Sequence, residues 1–191
     1  MKKLLFSLAL LCSISGFSQA SAREEGGQVT FEKTNSVIGY NGFSVEYLFP
    51  SYSMNYAAFS SSGLALSYEA YKPLGKRTAV SGNISLVLLD ELSNLELNVG
   101  FYFLPYKGIY LKPQIGFGNY GFNDDYLKNA IPSANFTYRG QAGYLFAVNK
   151  EGKRPKFIDL GFAYHTATNS VLTTNYFGIS LKYLWGPKPQ K

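Results

Sequence analysis

Apolar and polar residues alternate with a period of two along most of this chain, and helical periodicity is almost absent. The alternation predicts eight strands, at about 37–49, 63–71, 78–89, 94–104, 109–119, 134–147, 156–165 and 175–185. No apolar run approaches the ~18 residues of a transmembrane helix. Residues 23–36 read as a loose leader to the first strand.

Separating the two parities of each strand sorts the side chains sharply. One face carries Phe43, Val45, Tyr47 and Phe49, then Leu64, Leu66 and Tyr68, and continues in this way to Phe177, Ile179, Leu181, Tyr183 and Trp185. No charge interrupts it in any strand. The other face is built mainly from Ser, Asn, Gln and Gly. Its charges are Glu46, Glu69, Glu96 and Asp159 against Lys112, Arg139 and Lys182.

A soluble barrel of the lipocalin kind, serving as a periplasmic carrier, would bury the apolar set and wet the polar one. Eight strands enclose too small an interior for so many bulky groups. A water-facing surface would also carry far more Lys and Glu than the polar face offers. The inverse arrangement accommodates both sets: small polar residues in a narrow lumen, bulky apolar ones against lipid. The expected fold is therefore all-β, an eight-stranded antiparallel up-and-down transmembrane barrel. Aromatics fall near strand ends on the apolar face: Phe49, Tyr68, Phe101, Phe103, Phe117, Phe136, Tyr138, Tyr144, Phe146, Phe162, Tyr164, Phe177, Tyr183 and Trp185. Aliphatic residues such as Ile84, Leu97, Ile115 and Ile179 hold the middles, so two aromatic girdles should flank an aliphatic belt. From Phe177 to Trp185 the strand climbs roughly 26 Å before tilt, enough for a thin bilayer once flanking aromatics are counted.

Composition agrees. Charged residues are only 16% of the 191 and aromatics reach 17%, which excludes a disordered chain. The start of the chain reads as a secretory signal peptide over residues 1–22. Lys2 and Lys3 are followed by an apolar run from Leu4 to Phe17, and Ala20-Ser21-Ala22 supplies small residues for cleavage after Ala22 or, alternatively, after Ala20. The barrel domain then spans 23–191. Losing Lys2 and Lys3 lowers the net charge from +6 to +4. Cys12 is the one cysteine and leaves with the leader, so neither disulfides nor thiolate metal sites are expected.

The links tend to alternate in length: long at 50–62, 120–133 and 166–174, shorter at 72–77, 105–108 and 148–155. Link 90–93 is short and departs from the alternation. With both termini periplasmic, the first, third, fifth and seventh links face outward. Signal peptide, eight alternating strands, girdles and loop parity together resemble the small outer-membrane β-barrels of the OmpA/OmpX type, over residues 37–185. The last strand, Tyr176 to Trp185, is similar to the terminal signal read by the barrel-assembly machinery. It departs in Ser180, where a glycine is usual, and in the GPKPQK that follows. The resemblance implies a Gram-negative outer membrane, with its lipids and the assembly machinery as partners. Surface ligands would meet the links 50–62 and 120–133, rich in Tyr, Ser and Asn.

The polar face offers candidate chemistry. Glu69, Lys112, Asp159 and Lys182 fall toward the periplasm, and Glu46, Glu96 and Arg139 nearer the outside, with His165 at the outer end. An ion path or a catalytic cluster is one reading. A salt-bridge network that plugs the narrow barrel is the other, and the one expected here, because a buried charge requires a partner. His165, the one histidine, is followed by Thr166 and Thr168. The stretch YHTATN is similar to the His-x-Ser-Asn motif of outer-membrane lipid A deacylases, with Ala167 at the serine position. That similarity implies, as the alternative function, a lipid hydrolase with His165 as base and Thr166 or Thr168 as nucleophile. The expected function is non-enzymatic, an envelope or surface-interaction role. Pro113, on the apolar parity, predicts a local bulge. No cofactor, metal or nucleotide motif occurs, and export argues against nucleic acid as a partner.

Overall fold

The structure is a computed structural model and describes residues 29–31, 39–50, 62–148 and 154–187. The leader 1–22, the strand start at 37–38, most of the link 50–62 and residues 149–153 lie outside the described residues. Eight strands follow in chain order: β1 (Tyr40–Pro50), β2 (Gly63–Gly75), β3 (Thr78–Leu88), β4 (Leu92–Tyr106), β5 (Ile109–Phe122), β6 (Ala134–Ala147), β7 (Lys156–Thr168) and β8 (Thr173–Trp185). Each pairs antiparallel with the next, and β8 pairs with β1 to close the cylinder. Closure leaves no free sheet edge. The expected eight-stranded up-and-down barrel is the fold observed.

Side chains alternate between the two sides of the wall, as a period-two pleat requires. Charged and amide side chains of the polar parity are buried inside, whereas Leu97, Ile115 and Phe117 stand more than half exposed on the outside. This excludes the lipocalin-like orientation, which needs the reverse.

Several strands run past their expected ends. β2 reaches Gly75, β5 reaches Phe122, and β7 and β8 extend to Thr168 and from Thr173. Ladder hydrogen bonds need register rather than hydrophobic contrast, so polar residues can prolong a pair. Thr166 Oγ1 donates to Asn175 Oδ1 at 2.8 Å, and the Thr168 and Thr173 hydroxyls meet at 2.7 Å, both across the β7–β8 pair. The expected link 166–174 thus shrinks to four residues. The Asn169 side chain closes it, accepting from the Val171 and Leu172 N–H groups at 2.9 and 2.8 Å.

Two further expectations are corrected. Pro113 makes no bulge: it pairs with Gly140 of β6. On the β4 side the register is the same above and below it, Gly100↔Gln114 and Phe103↔Leu111. The missing N–H is absorbed without inserting a residue. The register shifts fall instead beside the tight turns, between Pro73 and Gly75 and between Phe103 and Tyr106. The second correction concerns the stretch 23–36 ahead of the first strand, of which 29–31 are described: Val29 and Phe31 are buried rather than loose.

One end of the barrel carries the tight β2–β3 and β4–β5 turns, the start of β1 and the end of β8; we call it the terminal end. There the β4–β5 turn places Lys107 at φ 40° and Gly108 at φ 86°, the left-handed pair favoured in two-residue hairpins. The opposite, loop end carries a short helix, α1 (Asp125–Ala130). Asp124 caps it by accepting from the Leu127 N–H at 3.0 Å. A hydrogen bond from Lys128 holds the Asp125 carboxyl below its ordinary pKa. The loops here are tied to one another. Asn123 donates to the Asp90 and Glu91 carbonyls at 2.8 and 3.3 Å, and Asn169 donates to the Pro132 carbonyl at 2.6 Å.

Candidate functional site

The barrel interior is a stack of layers set by which inward residue each strand contributes at each height. At the terminal end lies an apolar floor made from Tyr40, Tyr71, Ala79, Tyr102, Leu104, Tyr110, Leu145, Phe157 and Leu184, with Val29 and Phe31 packed into it. Every strand contributes to it. At the loop end, Leu92, Tyr120, Phe122, Ile131, Ala167 and Leu172 form one apolar cluster, and Leu48, Ala65, Val87 and Tyr176 a second. Sequence reasoning missed these layers. The available signal was the lumen parity of bulky residues at strand ends, Tyr102 among them.

Between floor and roof lie the charges, in two groups. In the first, Glu69 Oε1 and Oε2 accept from Lys112 Nζ at 2.8 and 3.0 Å, and Lys182 Nζ lies 2.8 Å from Oε2. Lys182 also lies 3.4 Å from Asp159 and donates to the Tyr71 hydroxyl at 3.0 Å. All four charged side chains are fully buried. Glu69 is the hub because β2, β5 and β8 converge on it from different sides of the ring.

In the second group Arg139 pairs with Glu46, and His165 Nε2 lies 2.9 and 3.0 Å from the two oxygens of Glu96. Amides surround Glu96: Asn94 donates to it at 2.7 Å and Asn98 at 3.4 Å, while Thr137 bonds Asn98 in turn. Glycine makes the room. The Glu46 carboxylate occupies the space a Cβ on Gly178 would need, and the Tyr110 hydroxyl does the same above Gly161.

The structure does not assemble the residues of the hydrolase alternative. His165 is inward and buried. Thr166 and Thr168 are of outward parity in β7 rather than in a loop, and their hydroxyls engage Asn175 and Thr173. Among the described residues no group of His, Cys, Asp and Glu is placed to hold a metal ion.

On the outside, Phe49, Tyr68, Phe101, Phe103, Phe117, Phe136, Tyr138, Tyr144, Phe162, Tyr164, Phe177 and Tyr183 are exposed, and Phe146 and Trp185 half-buried. Neighbouring rings pair: Phe43 with Tyr68 and Trp185 toward the terminal end, Phe117 with Phe136 and Tyr164 with Phe177 toward the loop end. Phe43, Tyr47 and Tyr106 join this outer aromatic set.

A closed eight-stranded cylinder that buries its charges and turns its bulky apolar residues outward has the architecture of a membrane β-barrel. Comparison with solved structures gives the same class. The chain is similar in fold to Neisserial surface protein A, with a TM-score of 0.61 at 9% identity over 78% of this chain and 96% of that one. It also matches Ail of Yersinia pestis, in a phospholipid nanodisc (TM-score 0.47, 14% identity, 76% of this chain and 99% of that one) and in complex with the heparin analogue sucrose octasulfate (0.41, 14%, 77% and 99%). No protein-family model matches the sequence, and neither does any curated protein. The fold is that of the small outer-membrane β-barrels, and the resemblance is one of architecture.

Proposed function

We propose that this protein is an integral barrel of a Gram-negative outer membrane, with a plugged lumen and a surface-interaction role carried by its loop end. The observation that carries the reading is the inverted burial, with seven charged side chains inside, from Glu46 to Lys182, and the aromatic and aliphatic belt outside. The ion-paired layers between the apolar floor and the two loop-end clusters support a lumen that conducts nothing. The terminal end would then face the periplasm and the loop end the outside, where the links 50–62 and 120–133 would meet a surface ligand. Tyr126, on α1, is 78% exposed there. Membrane lipids would cover the belt, and the barrel-assembly machinery would read β8 during insertion.

The buried His165–Glu96 pair, with no hydroxyl hydrogen-bonded to the imidazole among the described residues, supports a non-enzymatic protein. A hydrolase needs nucleophile, base and orienting acid in mutual reach. One preparation tests both points. The purified barrel in planar bilayers should give no conductance steps, and in detergent with lipopolysaccharide or phospholipid it should release no fatty acid. Fatty-acid release abolished by His165→Ala would establish the hydrolase instead, and steady conductance would remove the plug. Orientation has its own test. A peptide tag inserted at Asp124 should bind antibody on intact cells, whereas one at Gly152, in a link outside the described residues, should be detected only after the envelope is opened. The opposite pattern would invert the topology.

A further inference from the structure

Val29 and Phe31 belong to no strand, yet they fill the mouth of the barrel at its terminal end. Phe31 is 3% exposed. Its ring meets Tyr40 of β1 and Tyr102 of β4 edge to face, each at a centroid distance of 5.3 Å. Its backbone N–H donates to the Lys76 carbonyl, in the β2–β3 turn, at 2.9 Å. Val29 lies over the β4–β5 turn, where a Cβ on Gly108 would come within 3.3 Å of its Cγ2. The seat is therefore assembled from elements well separated around the ring.

The floor it belongs to includes Tyr40 of β1 and Leu184 of β8, the two sides of the seam that closes the cylinder. An open sheet would leave those walls apart and the seat incomplete. The geometry points to an intramolecular latch: Val29–Phe31 is the ligand of an apolar, aromatic-walled socket that forms only when β1 has paired with β8. Once seated, it holds the closed cylinder shut from the terminal end. The inference rests on the barrel fold and is independent of what the loop end binds.

A contact that seats after a rate-limiting closure is absent from the transition state for folding. Removing it should speed unfolding and leave folding unchanged. The test uses the full chain, expressed with its leader in a Cys12→Ser background and purified folded from membranes. For Phe31→Ala the rate at which the folded form converts to the unfolded band on heating in dodecyl sulfate should rise about tenfold, with Phe31→Leu recovering most of the loss. Folding of the urea-denatured chain into phosphatidylcholine vesicles should change by less than about twofold. In Phe31→Cys, a bulky maleimide should label the folded barrel at least about tenfold more slowly than the same chain in urea, as expected of a buried thiol. Equal labelling rates, an unchanged unfolding rate in Phe31→Ala, or an effect confined to folding would each overturn the latch.

Discussion

Replacing Glu69 with leucine is expected to destabilise the folded barrel by about 3–5 kcal/mol, the largest single effect in the lumen. Glu69 is the carboxylate against which both Lys112 and Lys182 rest, and all three side chains are fully buried. Without it Lys112 loses its ion pair, and Lys182 keeps the longer ion pair to Asp159 at 3.4 Å and its hydrogen bond to the Tyr71 hydroxyl. Removing one member leaves charge buried and uncompensated, which is far more costly than removing a pair together. The double variant Glu69→Leu/Lys112→Met should therefore be milder than the sum of its singles. Asp159→Asn with Lys182→Met should likewise be milder than Lys182→Met alone. Urea titration of the barrel in lipid vesicles measures all of these, and strict additivity would show that the groups do not interact.

Ile179→Arg is expected to cost about 2–4 kcal/mol, from the outside of the wall rather than the inside. Ile179 is at the middle of β8, 48% exposed, between Tyr47 of β1 and Phe162 of β7. An arginine there would place its guanidinium near the centre of the hydrocarbon layer. The neighbouring inward position provides a control, since Ser180→Asn changes the lumen and leaves the lipid face untouched. Folding yield and stability in vesicles decide the matter. An arginine variant that folds into lipid as well as the parent would show that residue 179 does not face the membrane.

The alternation made the barrel legible because a strand commits each residue to one side of the wall, and two chemically distinct sets cannot exchange sides without exposing charge to lipid. Strand ends were less legible. Thr166 and Thr168 carry no hydrophobic contrast, and only their cross-strand partners Asn175 and Thr173 show that the ladder continues. The lumen charges could be placed on the inward face and at rough heights along their strands. Their partners across the ring could not be deduced, because the stagger of a closed barrel decides which distant strands meet at one level. Glu69 and Lys112 come from β2 and β5 and have no ladder relation. Phe31 was missed for a different reason. A single buried aromatic outside any repeat leaves no periodic trace.

The ties among the loops at the loop end bear on how that surface is recognised. The Asn123 bonds to Asp90 and Glu91 and the Asn169 bond to Pro132 join segments distant in sequence into one platform. The Ile131–Leu172 apolar cluster underlies it. A platform held in this way has already lost its conformational freedom, so a binder meets it with little ordering entropy left to lose. Its epitopes are discontinuous, drawn from three loops at once. Antibodies raised against the folded barrel would then bind the folded protein and miss the boiled protein on a blot.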